Sequence, residues 1–272
     1  MAKPRTYTED LLWQRMIREG MIAGSPVHYL QETGSTNTIA LERLEKVEPR
    51  TVVVAEYQSQ GRGRLGRKWE SPTGTGLYFS LILQPQLAVA DLPKITLAAG
   101  VATARGIEKA TGIAPQLKWP NDILVGGGKV GGILTESGPL RAGGQTRVVV
   151  GIGINVSTGC GQFAPEIRQP AISLQQFASR RIDRGPLLEA ILAAVKDYID
   201  RLEKGRFADI LARWKSLDAF HGQRLSWVDI KGTVVSGISL GPDENGILHI
   251  LDDHGQVHEI LSGDVTLAPN SK

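Results

Sequence analysis

One cysteine in 272 residues, Cys160, rules out an intramolecular disulfide and points to a reducing compartment. No signal-peptide core opens the chain. The longest largely apolar run, Ile95 to Ala104, stops at Arg105 and is too short for a bilayer. A cytoplasmic protein is therefore expected, with no membrane partner. Charge of one sign is also scarce: the formal net charge is only +3, so wholesale nucleic-acid binding is disfavoured and any positive field has to be local. With 41% hydrophobic and 22% charged residues the chain has the composition of an ordinary globular protein, long enough to bury a substantial core. It holds one large domain, or a medium one with a small appendage. Internal repeats and low-complexity tracts are absent.

The apolar periodicity divides the chain into a short helical lead over 1–24, a mixed α and β domain over 25–220, and a small β-barrel over 221–272. Residues 8–22 read as a helix with Leu11, Leu12, Met16 and Ile17 on one face. A strand, a turn at Gly34 and a helix opening at Ser35-Thr36-Asn37 follow. "TVVVAEY" and "GLYFSLIL" are buried strands, and "LPKITLAAGVATARGIEKAT" is a helix closed by Gly112. Short strands around 116–118 and 122–125 precede "KVGGILTES" and "TRVVVGIGINV", joined as a hairpin by a glycine turn at 143–144. Pro186 opens a helix carrying Leu188, Ile191, Leu192, Val195, Ile199 and Leu202 at helical spacing, and a second helical stretch carries Phe207 to Leu217. Five short strands among Gly, Pro, Asp and Asn turns then form the barrel.

The most pointed stretch is "AEYQSQGRGRLGRKWESPTGTGLYFSL", Ala55 to Leu81. Gly61-Arg62-Gly63-Arg64-Leu65-Gly66 has the G-x-G-x-x-G spacing of a dinucleotide loop. That loop needs a helix directly after its glycines, and Pro72, Gly74 and Gly76 break the chain instead. A Walker A loop is absent too. What remains is a run in which four of seven residues, Arg62 to Lys68, are basic among backbone-freeing glycines. Such a run is expected to be mobile when free, and a phosphate or carboxylate would neutralise and order it. A solvated basic loop is the plain alternative.

"LKWPNDILV" places Lys118 at a strand end, where it can act as a point charge for an anion, before a turn at Pro120 with Asn121 and Asp122. An exposed lysine at a turn accounts for these residues equally well. Gly131, Gly132, Gly151 and Gly153 interrupt strong strands and are candidates for a pocket floor, with bulges or tight strand packing as the other explanation.

Together "GSTN" at 34–37, the 55–81 stretch, "KWPNDILVGGGKVGGILTES" and "GIGINV" resemble the biotin–protein ligases (holocarboxylase synthetases), in family order and over nearly the whole chain. The resemblance implies an α+β fold: a mixed, largely antiparallel sheet flanked by helices, of class II aminoacyl-tRNA synthetase-like type, with a Src-homology-3-like barrel at the C-terminus. It implies that biotin and MgATP give biotinyl-5′-AMP and pyrophosphate. A lysine of a biotin carboxyl carrier protein then takes the biotin and releases AMP. Arg62, Arg64 and Lys118 become the catalytic cations, and the basic loop an adenylate-holding lid. Biotin would be held by Ser35, Thr36, Asn37, Gln58, Arg62, Gly63, Arg64, Lys118, Gly131 and Gly132. ATP would be held by Arg64, Arg67, Trp69, Lys118, Asn121, Asp122 and Asn155, with Trp69 covering the adenine. Ser35 to Asn37 can cap a helix at the same time, and an isolated tryptophan also serves in core packing. The Mg²⁺ ligands are not assigned. The short lead suggests a ligase-only form without DNA binding, as a monomer or homodimer.

A lipoate–protein ligase is the nearest rival, and a non-enzymatic nucleic-acid binder using the 62–68 cations is a different class; few aromatics interleave with that run. His249, His254 and His258, with Asp252 and Asp253, read as a solvated hairpin face rather than a metal site. Cys160 is given no redox role.

Overall fold

The computed structural model describes residues 11–268 apart from 142, 144, 160, 162–170, 229–233, 262 and 264. Cys160, the start of the expected lead helix and residue 144 of the glycine turn lie outside the described residues. Helix α1 (Leu11–Glu19) ends earlier than the periodicity suggests. Gly20, at φ +64°, ends it, and Met21–Ile22 turn back as strand β1. Strands β2 (Ser25–Thr33) and β3 (Val52–Gln58) run parallel, linked by helix α2 (Thr36–Arg43). Ser35 occupies the N-cap position of α2 but makes no side-chain capping bond.

Strand β4 (Gly76–Leu83) is followed by the long helix α3 (Pro93–Thr111), which closes on left-handed Gly112. Next come β5 (Gln116–Lys118), a cis Trp119–Pro120 bond, β6 (Asp122–Val125), β7 (Gly128–Ser137) and β8 (Val148–Asn155). The eight strands lie in the order β1-β2-β3-β4-β8-β7-β6-β5, antiparallel except for β2 beside β3.

Period-two alternation divides the sheet faces. Val52, Val54, Leu77, Phe79, Val150 and Ile152 face the large core, which also holds buried residues of α3 and of the two C-terminal helices α4 (Arg184–Glu203) and α5 (Phe207–Leu217). Val53, Ile82 and Val149 face the other way, against Ala40 and Leu44 of α2 and the turn after it. Helices α3 and α4 approach closely because residue 106 is glycine: a Cβ there would lie 2.6 Å from the Ile191 Cα. Helix α4 starts at Arg184, two residues before Pro186, which is accommodated in its first turn.

The last five strands, β9 (Arg224–Val228), β10 (Val234–Pro242), β11 (Leu248–Leu251), β12 (Val257–Ile260) and β13 (Val265–Leu267), form a second antiparallel sheet in the order β12-β11-β10-β9-β13. Its buried Leu225, Trp227, Leu248, Ile250, Ile260 and Val265 belong to the same apolar cluster as the helices of the larger unit. The Trp119 indole N–H donates to Gly246 C=O at 3.0 Å. Among the described residues no helix is long and apolar enough to cross a membrane.

One charged group sits inside the core. Arg184 is fully buried and holds Glu56 of β3 through two bonds of 2.8 and 2.9 Å. Trp13 of α1 adds its indole N–H to Glu56 at 2.9 Å, and its ring lies 4.1 Å from the guanidinium carbon. Burial first, and the Glu56 charge second, push the phenol of neighbouring Tyr29 far above its ordinary pKa. Removing one partner strands the other charge in the core. Glu56→Ala is therefore expected to lower the unfolding free energy by about 3–5 kcal/mol in urea titrations. Asp209→Ala, at the exposed Arg206–Asp209 pair, should leave the midpoint almost unmoved. Equal small shifts for the two variants would show that the buried pair does not hold the fold.

Candidate active site

The polar residues on the α2 side of the sheet join into one hydrogen-bonded chain. The backbone N–H and hydroxyl of Thr36 both donate to Gln58 Oε1, at 2.8 and 3.1 Å, and Gln58 Nε2 donates to Ser71 Oγ at 2.9 Å. From the other end, Ser80 Oγ lies 2.8 Å from Thr36 Oγ1 and 2.6 Å from Asn37 Oδ1. Its single proton serves one of the two at a time. Asn37 Nδ2 then donates to Glu136 Oε2 at 2.8 Å, and Arg62 Nη2 donates to Glu136 Oε1 at 2.6 Å. Ser35, Thr36, Asn37, Gln58, Ser71 and Ser80 are all buried. Of the expected biotin residues, Thr36, Asn37, Gln58 and Arg62 are thus brought together, with Ser35 at the N-cap beside them.

The basic loop is tied into this chain at both ends, through Arg62 and through Ser71, whose hydroxyl also bonds Trp69 C=O at 3.3 Å. Within it, the N–H of Gly63 donates to Arg67 C=O at 2.7 Å and that of Trp69 to Gly61 C=O at 2.8 Å. No helix follows: the residues after the short 3₁₀ turn Arg64–Gly66 are extended, which is why the dinucleotide spacing is not a dinucleotide loop here. Leu65 at its tip is left-handed, φ +55°, and largely exposed.

The strand glycines have two different partners. A Cβ on Gly151 would land on the Asn37 amide, and one on Gly153 would come within 2.6 Å of the Trp69 indole. Gly132, paired with Gly153 across β7 and β8, has the same indole 3.3 Å from its virtual Cβ. Gly132 and Gly153 therefore form a ledge for Trp69, and Gly151 makes room for Asn37. Gly131 points the other way, its virtual Cβ 2.6 Å from Ile154 Cδ1, so tight strand packing explains it. The Trp69 indole N–H is buried with no hydrogen-bond partner among the described residues.

A second charged group centres on Asp122. Lys129 Nζ is 2.5 Å from Asp122 Oδ1 and Lys118 Nζ 3.7 Å from Oδ2, with Lys118 only 4% exposed. Lys129 also lies 5.6 Å from the Trp69 ring centre. Asn121 braces the edge of β7 through Ile133 C=O at 2.7 Å, and Arg64 reaches its Oδ1 at 3.5 Å. Nearby Asp218, bridged to Leu117, is raised above the usual carboxylate pKa by burial, against the opposing pull of the Phe220 N–H and His221. Asn155 sits at the end of β8, holding Ile172 C=O at 3.1 Å, and Arg67 is exposed on the loop. Neither belongs to these two groups.

A cleft of about 350 Å³ opens beside Arg62 and Glu136, lined also by Arg64 of the loop, Thr96 of α3, Trp119, and Gly246 and Leu261 next to strands of the C-terminal sheet; Thr36, Asn37, Gln58 and the lysines on Asp122 do not line it. Ser71, Ser80, Lys129 and Glu136 are contributors that the sequence reading does not single out. Among the described residues no three His, Cys, Asp or Glu side chains group to hold a metal, and His258 is taken up by Asp252 at 2.7 Å. A magnesium ion carried in on phosphates needs only one or two carboxylates. Asp122 is a carboxylate of that kind, and it is already engaged by lysine.

Residues 29–155 match the biotin/lipoate A/B protein ligase family. The chain is 38% identical to the bifunctional ligase/repressor BirA of Bacillus subtilis, over 90% of this chain and 75% of the relative. It is 34% identical to the biotin–acetyl-CoA-carboxylase ligase of Paracoccus denitrificans, over 80% and 91% respectively. The solved biotin protein ligase from Aquifex aeolicus in complex with biotin and ATP superposes with a TM-score of 0.77 at 31% identity, covering 89% of this chain and 98% of that one. With its mixed sheet, its second small sheet and these relatives, the chain belongs to the biotin/lipoate A/B protein ligase family, among the biotin–protein ligases.

Proposed function

We propose that this protein activates biotin with ATP and transfers it to a lysine of a biotin carboxyl carrier protein. The observation that carries the reading is the loop geometry: Arg62 and Arg64 line a cleft at Glu136, Glu136 joins that cleft to the buried, hydrogen-bonded Asn37, Ser80, Thr36 and Gln58 cluster, and Lys118 and Lys129 gather on Asp122, next in the chain to the Asn121 that meets Arg64. Such a cluster suits a polar ureido ring, because an analogue lacking its donors leaves buried groups unpaired. The apolar slot that a lipoyl ring would want is not what these residues provide.

In the first step a biotin carboxylate oxygen bonds to the α-phosphorus of ATP and pyrophosphate leaves. Both reactants are anions, and Arg62, Arg64 and Lys118 offset their repulsion. Asn121 positions Arg64, and Asp122 positions Lys118 and Lys129. Trp69, set on its glycine ledge with an unmatched N–H, covers the adenine. Mg²⁺ bound with ATP would supply charge neutralisation at the phosphates, with Asp122 a carboxylate that could hold it. In the second step the carrier lysine amine attacks the acyl carbon and AMP leaves. The nucleophile belongs to the carrier, so this chain needs none of its own. The 61–71 loop keeps water from the mixed anhydride until then.

Purified protein with MgATP and biotin is expected to release pyrophosphate and give biotinyl-5′-AMP by mass spectrometry, and to biotinylate an added carrier domain. Arg64→Ala should slow adenylation by about 100-fold or more, the scale of losing a preorganised charge donor. Turnover with lipoate alone would move the protein to the sister activity, and no adenylate with either acid would end the ligase reading.

Gly151→Ala drives a methyl group into the Asn37 amide. Calorimetry is expected to show biotin bound about tenfold or more weakly, a loss of about 1.4 kcal/mol. Unchanged affinity would detach Asn37 from the biotin site.

A further inference from the structure

Glu136 stands where the buried polar chain meets the open cleft. One carboxylate oxygen is held at 2.8 Å by Asn37, which is fixed in turn by Ser80. The other holds Arg62 at 2.6 Å. The two partners differ in freedom: the Glu136 side chain is 22% exposed, and that of Arg62 46% exposed, on a loop with glycines either side of it. The arginine that an entering carboxylate would need is thus already neutralised by a carboxylate of the protein. Two carboxylates brought to one guanidinium repel each other, so an incoming acid has to draw Arg62 off a partner that is itself anchored.

We propose that Glu136 is a positioning residue acting through Arg62: it is the resting counter-ion of that arginine, holds the basic loop in place before substrate arrives, and is displaced from it by the substrate's carboxylate. This rests on the biotin reading above and adds to it the residue against which biotin competes. The charge of Glu136 therefore weakens acids and leaves their neutral analogues untouched. A strut without this role would support both ligands alike.

Glu136→Gln separates the two, because it is nearly isosteric and keeps an acceptor for Asn37 while losing the charge. Binding of biotin and of biotinamide, the neutral carboxamide, is measured by calorimetry on the full chain. Biotin is expected to bind about two- to fivefold more tightly to Glu136→Gln than to the parent, the scale of a partly exposed ion pair, with biotinamide unchanged. In an Arg62→Gln background the same Glu136 change should leave biotin binding where it was. Parallel weakening of both ligands, or a gain that survives without Arg62, overturns the proposal. If the parent binds neither ligand, the biotin reading falls and this inference with it. If the parent binds biotin and Glu136→Gln brings no selective gain, the inference alone is lost.

Discussion

The hydrogen-bonded chain from Arg62 through Glu136, Asn37, Ser80, Thr36 and Gln58 to Ser71 is the constraint on which the rest of the site depends. A buried polar side chain with no partner is costly, and a network only partly satisfied is worse than an apolar core. Each member is held because the next one is, and the chain starts and ends on the same loop. Four basic residues that would otherwise repel one another are thereby kept on one tethered loop, Arg62 and Arg64 at the cleft, with Arg62 and Lys68 neutralised by Glu136 and Glu70. The buried Arg184–Glu56 pair does the corresponding work on the opposite face, locking α1 and α4 to β3.

The sheet has to be thin where this network sits. Side chains at 151 and 153 on β8 and at 132 on β7 would occupy the space taken by the Asn37 amide and the Trp69 indole. Glycine in a strand interior sacrifices packing and adds chain entropy on unfolding, a cost that the long apolar stretches of β3, β4 and β8 offset by burying Val52, Phe79, Val150 and their neighbours completely. The same alternation that sends those residues into the helical core sends Ser80, Gly151 and Glu136 to the α2 side. Core and site are therefore fixed by one register: a slip of a single residue would exchange them.

The fold was largely legible because its elements announce themselves locally. The β-branched runs of β3 and β8, the amphipathic α4 and the glycine after α3 need no knowledge of their partners. The boundaries that moved did so for local reasons as well: Gly20 in a left-handed turn ends α1 early, and α4 takes in Arg184 and Gly185 ahead of Pro186, with Arg184 held by Glu56. The loop cations and the turn after Lys118 stand out in the sequence by their spacing, and the Thr36–Asn37–Gln58 set is named by the family resemblance. Glu136, Lys129 and Ser80 could not, since a polar residue in a strand is ordinary until the order β4-β8-β7-β6 shows what stands beside it. Arg62 and Glu136 are 74 positions apart, and nothing in either segment names the other. Gly131 and Gly132 look alike in the sequence; only the pleat separates the one that packs against Ile154 from the one beneath Trp69.

The two walls of the cleft are held by different kinds of interaction, and this decides which of them can answer a ligand. The C-terminal wall, Gly246 and Leu261, adjoins strands of a sheet whose buried residues are continuous with the core of the larger unit, and Trp119 pins it with a further hydrogen bond. Moving that wall would expose Trp227, Leu248 and Ile260, at about 1.5–3 kcal/mol for each large side chain. The loop wall is held by polar contacts, the partly exposed Arg62–Glu136 pair at about 1 kcal/mol or less and the buried Gln58–Ser71 bond at about 0.5–1.5 kcal/mol, and Gly61, Gly63 and Gly66 let its backbone follow. An anion in the cleft offers Arg62 and Arg64 a replacement for what they give up. No ligand offers the apolar sheet a comparable exchange. Under the proposed function, closure over a bound adenylate would be a motion of the basic loop against the C-terminal wall, and the charges that meet the substrate would be the ones that move.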